Sequence, residues 1–214
     1  MPAEDLEKFT RWLERQSGRR ILNPLAKVLD LGCGNGRNLI YLAKTFGCQG
    51  VGYDNSHEAI KLAQAAGLSQ LKFEVRSIAD PFPLPDSSVN LALDLMSSHV
   101  LRAKERAAFL AEIVRVLKPN GWLLFKSFLL EEDDHAKRML REQPAPPEPG
   151  QAAEPHAYIH PVLKAYEHVW TIEELEEFFN PYFEIHRIDK SHKHRSRGRA
   201  FRRRTVTVYL EKKP

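Results

Sequence analysis

The stretch that most constrains the chain is Lys27-Val28-Leu29-Asp30-Leu31-Gly32-Cys33-Gly34-Asn35-Gly36-Arg37-Asn38, continued by Leu39-Ile40-Tyr41-Leu42-Ala43. Val28, Leu29 and Leu31 make a short apolar run of the kind that forms a strand covered on both faces. The apolar positions after Gly36 recur at helical spacing. The three glycines therefore occupy a strand-to-helix turn. Without Cβ atoms such a turn reaches left-handed backbone angles, and a ligand can approach main-chain N–H groups at the start of the helix. This is a nucleotide-type site.

The glycine spacing narrows the ligand. A dinucleotide turn reads G-x-G-x-x-G with a pyrophosphate on the helix N-terminus, whereas here the order is Gly32-x-Gly34-x-Gly36, preceded by Asp30. No G-x-x-x-x-G-K-[ST] occurs, which excludes a P-loop. A second apolar run ends in Val51-Gly52-Tyr53-Asp54, and an acid after the second strand can accept both ribose hydroxyls. In these residues the chain resembles the class I S-adenosylmethionine-dependent methyltransferases. Asp30 to Gly36 look like their motif I, and Asp54 like their ribose-binding acid.

The resemblance implies an α/β fold: a Rossmann-like, doubly wound, mostly parallel seven-stranded sheet with an antiparallel last strand and helices on both faces. It also implies S-adenosylmethionine as cofactor, with S-adenosylhomocysteine as product. The residues matching its cofactor site are Asp30, Gly32, Cys33, Gly34, Asn35, Gly36, Asp54 and Asn55, then Ala79 and Asp80, then Asp94 and Leu95. Within the family, the Gly34-Asn35-Gly36-Arg37-Asn38 wording resembles the small single-domain methyltransferases of the tellurite-resistance type.

A chain of 214 residues suffices for one α/β domain with its own core, and a second full domain would be cramped. One domain over 1–214 is expected, as a monomer. No apolar stretch approaches membrane-spanning length, and Met1-Pro2-Ala3-Glu4-Asp5 lacks a basic then apolar leader, so a cytoplasmic protein without membrane contact is expected. Cys33 and Cys48 offer neither a disulfide framework nor metal-ligand spacing, and no metal is expected. The formal charge of +4 is small but concentrated toward the carboxyl end.

In chain order, Leu6, Phe9 and Leu13, with Trp12 beside them, mark an amphipathic leading helix over 3–17. Trp12 reads as core or as part of a cover over the pocket. Ser56 caps a helix after the second strand, and Leu71 to Val75 is a third strand. Ser77 to Val89 contains three prolines and reads as a loop at the carboxyl end of that strand, where open parallel sheets bind ligands. By the resemblance it is the adenine loop, with Ala79 and Asp80 beside the base; chemically, Asp80 reads equally as a cap before Pro81.

Val89 to Asp94 is a fourth strand, Ala103 to Leu117 a helix stopped by Lys118-Pro119-Asn120-Gly121, and Trp122 to Phe125 a fifth strand. The resemblance holds best over 25–130. Beyond it, Glu131-Glu132-Asp133-Asp134 and five prolines between Pro144 and Pro155 read as a lid-like insertion over about 128–168. Thr171 and Glu174 form a capping box. Tyr182–Ile188 and Thr205–Leu210 alternate as strands, which the family pairs as a closing hairpin. The loop between them, 190–204, is strongly basic. Arginine forks match phosphate oxygens, so the loop reads as a phosphate contact or as a solvated turn.

Methyl transfer from a sulfonium is an in-line displacement in which positioning does most of the work, about 7–11 kcal/mol by proximity. A base is needed only for a weakly nucleophilic acceptor. His99, just past the fourth strand, is the candidate base, with packing or capping as its alternative role. Asp94 and Lys126 fall where ribose 2′-O-methyltransferases keep an Asp and a Lys, although the further Glu of that family is replaced by the region of Thr205, Thr207 and Tyr209. The fourth strand ends Asp94-Leu95-Met96-Ser97. It lacks both the N/D-P-P-Y/F of amino-methyltransferases acting on bases and the Pro-Cys of cytosine C5 enzymes. The expected function is methyl transfer to a small-molecule acceptor. The alternatives are an RNA acceptor held by 190–204 and a cofactor-binding partner without turnover.

Overall fold

Four of the five residues of β1 (Lys27–Leu31) are buried, as suits a strand flanked on both edges and covered on both faces. The computed structural model describes residues 1–16, 21–191, 194–196, 199–201 and 203–214. In it β1 pairs in parallel with β2 (Gln49–Asp54) on one side and β4 (Val89–Leu95) on the other. β3 (Leu71–Val75) extends the sheet past β2, and β5 (Leu117–Phe128) pairs in parallel with β4. The last strand, β11 (Thr205–Lys212), runs antiparallel between β5 and β8 (Phe183–Ser191). The order is thus β3-β2-β1-β4-β5-β11-β8, a Rossmann-like α/β sheet with one reversed strand.

The strand period of two splits the core between the faces. On one face Val28, Leu91, Leu93, Trp122, Leu124 and Tyr209 meet α1 (Glu4–Gln16), α2 (Arg37–Phe46) and α3 (His57–Gln64). On the other, Leu29, Leu31, Ala92, Leu123 and Phe125 meet α4 (Ala103–Val116) and α6 (Ile172–Phe179). Leu6, Phe9 and Leu13 of α1 are essentially without solvent contact. At roughly 1.5–3 kcal/mol per fully buried side chain, they dock a helix too short to be stable alone. Trp12 packs edge-on against Trp122 at 5.3 Å and at a tilt against Tyr209 at 5.1 Å, so it belongs to this core.

Two caps appear where the sequence put them: Ser56 Oγ accepts from Ala59 N at 3.2 Å and Thr171 Oγ1 from Glu174 N at 3.1 Å. The segment 128–168 holds more structure than the loop its prolines suggested. The Asp133 carboxylate accepts from Ala136 N at 2.8 Å and starts α5 (Asp134–Glu142). β6 (Ala157–Ile159) and β7 (Tyr166–His168) pair antiparallel beyond the prolines. Phe128, Ala136, Met139, Tyr158 and Val169 form a small core of their own, with Met96 from the end of β4 packed on it.

Between β8 and β11 lie β9 (His194–Ser196) and β10 (Arg199–Phe201), paired antiparallel. His192, Lys193, Arg197, Gly198 and Arg202 lie outside the described residues, and so does that part of the phosphate reading of 190–204. Arg203 does not belong to a solvated loop. Its side chain is buried, with Nε 3.0 Å from Asp133 Oδ2, Nη1 3.5 Å from Glu167 Oε2, and the guanidinium 3.8 Å above the Phe128 ring. No helix among the described residues is long and apolar enough to cross a membrane.

Candidate active site

The turn after β1 is built from left-handed residues: Gly32, Gly34 and Gly36 have φ of 71°, 53° and 75°. A Cβ on Gly32 would stand 2.1 Å from Ser97 Oγ, so that glycine lets the loop after β4 close against the turn. A Cβ on Gly34 would meet nothing within 4 Å. Gly34 therefore faces open space while its neighbours are packed, as a surface for a ligand must be.

Asp54 at the end of β2 ties this turn to the next strand. Its Oδ2 accepts from Gly34 N at 2.8 Å and its Oδ1 from Ser56 N at 2.9 Å, which leaves each oxygen a further lone pair. Asn35 and Asn55 are exposed on either side. Cys33 is buried, and its sulfur fills the space that Gly52 leaves, where a Cβ would come within 2.8 Å of Sγ. Burial raises its thiol pKa far above the ordinary range, so Cys33 is a packing group. Ala79 and Asp80 follow β3 at the same edge; Asp80 is exposed, with its N–H on Ser77 O at 3.3 Å.

Two carboxylates sit deeper. Asp30 is 1% exposed, and its Oδ2 has no hydrogen-bond partner. Burial first, then the charges of Asp94 and Asp54, push its pKa up to about 7, against the pull of Arg37. Asp94 is fully buried and pushed up to about 6 by burial, opposed by its hydrogen bonds from the Ser98 side chain and from the N–H groups of Ser98 and Ser97. Asp94 so anchors the residues three and four places on, Ser97 and Ser98, a role the sequence pattern did not single out.

Asp30 also dictates a pH effect. Between about 4 and about 7 the folded chain holds a proton there that the unfolded chain has already released, so stability falls as pH rises through that window. Melting midpoints are expected to decline across it. Asp30→Asn should flatten the decline and be more stable than the parent above pH about 7, yet bind a cationic ligand less well. Superimposable melting profiles for the two proteins would contradict this.

His99 lies in the single 3-10 turn Ser98–Val100 at the carboxyl end of β4, its ring 5.1 Å from that of Phe128 and edge-on to it. Lys126 lies elsewhere. In the β4–β5 register Asp94 stands beside Phe125 and Leu95 beside Lys126, so the side chains of Asp94 and Lys126 leave opposite faces of the sheet. Lys126 Nζ is 2.5 Å from Asp5 Oδ2 of α1, and Asp5 also accepts from Thr207 at 3.3 Å. The Asp–Lys pairing suggested by ribose methyltransferases is thus not assembled, because one residue of strand offset reverses the face. Asp5 was not legible as Lys126's partner, since 121 residues separate them. Leu95 is half-buried against the α1 side. The one metal-like grouping among the described residues, Glu184, His186 and Glu211, lies on β8 and β11 away from the glycine turn.

Comparison with known proteins agrees with this geometry. A family model described as a methyltransferase domain matches residues 28–121, which contain the turn, Asp54 and the proline-rich loop after β3. A solved S-adenosylmethionine-dependent methyltransferase of Methanosarcina mazei is 25% identical, superposes with a TM-score of 0.71, and covers 91% of this chain and 95% of its own. Over residues 28–121 the chain carries a methyltransferase domain, on a fold shared with S-adenosylmethionine-dependent methyltransferases. Among curated relatives, phthiotriol/phenolphthiotriol dimycocerosates methyltransferase 1 of Mycobacterium ulcerans is 39% identical over 46% of this chain and 36% of its own. The tRNA (carboxymethyluridine(34)-5-O)-methyltransferase of Arabidopsis thaliana is 29% identical over 59% and 30%. The chain spans about half the length, or less, of the curated relatives it matches.

Proposed function

We propose that the protein transfers the methyl group of S-adenosylmethionine to a compact acceptor held beneath the segment 128–168. The observation that carries this reading is the cradle itself: a left-handed turn open at Gly34, bonded to Asp54, above a buried Asp30 oxygen that lacks a partner. A buried carboxylate of this kind costs free energy unless it is protonated or meets a cation, and the donor's methionine half carries one. The residues therefore fit the cofactor. Main-chain groups of Gly32 to Gly36 would hold the methionine half, Asp54 and Asn55 the ribose, Ala79 and Asp80 the adenine, and Leu95 the side of the pocket. The bound sulfonium supplies an activated methyl group.

The chain's own part is positioning, which supplies about 7–11 kcal/mol when the reacting atoms are aligned. Asp94 fixes the Ser97–Ser98 turn through three hydrogen bonds, and that turn carries His99. His99 takes a proton when the acceptor needs to lose one. Lys126 acts through Asp5, holding the start of α1 over the same edge of the sheet. The apolar group of Met96, Phe128, Met139 and Tyr158 supports a cap that excludes water from a small acceptor.

A small molecule is the first reading of the acceptor. The test is transfer of isotope-labelled methyl groups into a cell extract split into small-molecule, RNA and protein fractions. Label is expected in the small-molecule fraction. Label in RNA alone would reverse the order of the readings, and donor uptake without any transfer would indicate a non-catalytic binder. A second reading, an acceptor nucleotide in RNA, is favoured by a cleft lined with arginine on the α1 side of the molecule.

A further inference from the structure

A cleft of about 190 Å³ runs between α1 and β8, lined by Lys8, Arg11, Trp12, Arg15, Arg187, Asp189 and Tyr209. Lys8, Arg11 and Arg15 stand at i, i+3 and i+7, which places three cations in one row along about 10 Å of helix. The opposite face of α1 is the apolar one that docks on the sheet, so the row is held at a fixed distance from β8. Lys8 is paired with Glu4 at 2.7 Å. Arg11 and Arg15 are exposed and have no ion pair among the described residues, although Glu7 and Glu14 are on the same helix. Arg187 uses only Nε, at 2.8 and 2.9 Å from the two Asp189 oxygens, with its guanidinium 5.8 Å from the Tyr209 ring. Its two terminal amino groups have no partner among the described residues.

We propose that this cleft binds the phosphodiester backbone of single-stranded RNA. The proposal rests on the second acceptor reading above and gives that reading a place on the molecule. Guanidinium groups match phosphate oxygens in pairs, and unpaired arginines in a row present successive forks to a chain of phosphates. Half-buried Trp12 lines the floor of the cleft, and Arg187 lies over the ring of buried Tyr209. β8 leads from Arg187 to Lys190, and residues 190–204 carry eight Lys or Arg and no Asp or Glu. Lys8 lies one turn from Asp5, which bonds Lys126 and Thr207, and Lys190 stands opposite Val206 next to them, so Lys8 and Lys190 mark the same end of the cleft, toward the carboxyl edge of the sheet where the methyl group would be transferred. The row of cations on α1 therefore runs toward the edge of the sheet that holds the proposed reaction site.

The test is fluorescence anisotropy with a labelled single-stranded oligouridylate across a salt series. It compares the parent with the triple variant Arg11→Gln/Arg15→Gln/Arg187→Gln. All three positions are exposed, and unchanged melting and unchanged donor uptake by calorimetry serve as the folding controls. For a single strand, each phosphate that the protein neutralises adds about 0.7 to the salt slope, so the triple variant should show a slope shallower by about 2 and an affinity weaker by about tenfold or more. A parallel variant, Arg195→Gln/Arg197→Gln/Arg199→Gln, separates the cleft from the basic loop. If RNA binding survives in the cleft variant and disappears only in the loop variant, the cleft assignment is overturned while the RNA reading stands. If the parent does not bind RNA, or sediments with phosphatidylserine vesicles instead, both are overturned.

Discussion

Gly34→Ala is expected to yield a folded protein that no longer takes up S-adenosylmethionine, whereas Gly32→Ala is expected to damage the fold itself. The two glycines are two residues apart with similar backbone angles, so the strain of a left-handed alanine, about 1–2 kcal/mol, is common to both. Their surroundings differ. At Gly34 the new methyl projects into open space, the space a ligand must occupy to reach the main chain. At Gly32 it would lie 2.1 Å from Ser97 Oγ and 2.5 Å from Ser97 Cβ, and both belong to the turn anchored on buried Asp94.

Overpacking of that kind adds about 1–3 kcal/mol, for a total of about 2–5 kcal/mol against a domain stability of about 5–15. The melting midpoint should fall by on the order of 10 °C. Adding Ser97→Gly removes both crowding atoms and should restore most of the overlap part, leaving the backbone strain; a double-mutant cycle measures the split. Donor uptake by Gly34→Ala equal to that of the parent would refute the cradle as the binding surface.

The second large effect is expected at Arg203. Its guanidinium is enclosed by Asp133, Glu167 and the Phe128 ring, and Glu167 also accepts from Tyr158 OH at 2.5 Å. Arg203→Ala leaves two buried carboxylates without their cation, and breaking buried pairs in this way costs about 3–5 kcal/mol. The destabilisation should concentrate in residues 128–168, because Asp133 caps α5 and Glu167 belongs to β7. Amide exchange is expected to accelerate there while β1, β2 and β4 remain protected. Donor uptake should persist, since none of the cradle residues touches Arg203. Uniform acceleration over the whole sheet would show instead that the segment and the body unfold as one unit.

These two sites differ in how far the sequence announced them. The turn was legible because everything it needs is local: an apolar run, three glycines and an acid within a dozen residues, followed by Asp54 at the end of the next strand. The caps at Ser56 and Thr171 were legible for the same reason. Arg203 was not, since its partners lie 70 and 36 residues away and its neighbours in sequence are cations that look like one solvated loop. α5 was hidden because Glu131 to Asp134 read as a charged surface, although Asp133 is its N-cap. Lys126 shows the limit of analogy. Its position along β5 was right for a pairing with Asp94, but strand alternation turns it to the other face, where Asp5 waits.

The burial of both sulfurs has a practical consequence. The chain has two cysteines, Cys33 and Cys48, at 4% and 1% exposure, and burial raises the pKa of each. Thiol reagents will therefore pass over the native protein. A cysteine introduced at Val162, 79% exposed beyond β6, and a second at Leu62, 60% exposed on α3, become the two reactive handles on an otherwise silent background. A dye pair on those handles reads the distance between the 128–168 segment and the body directly, and so records whether donor or acceptor draws them together.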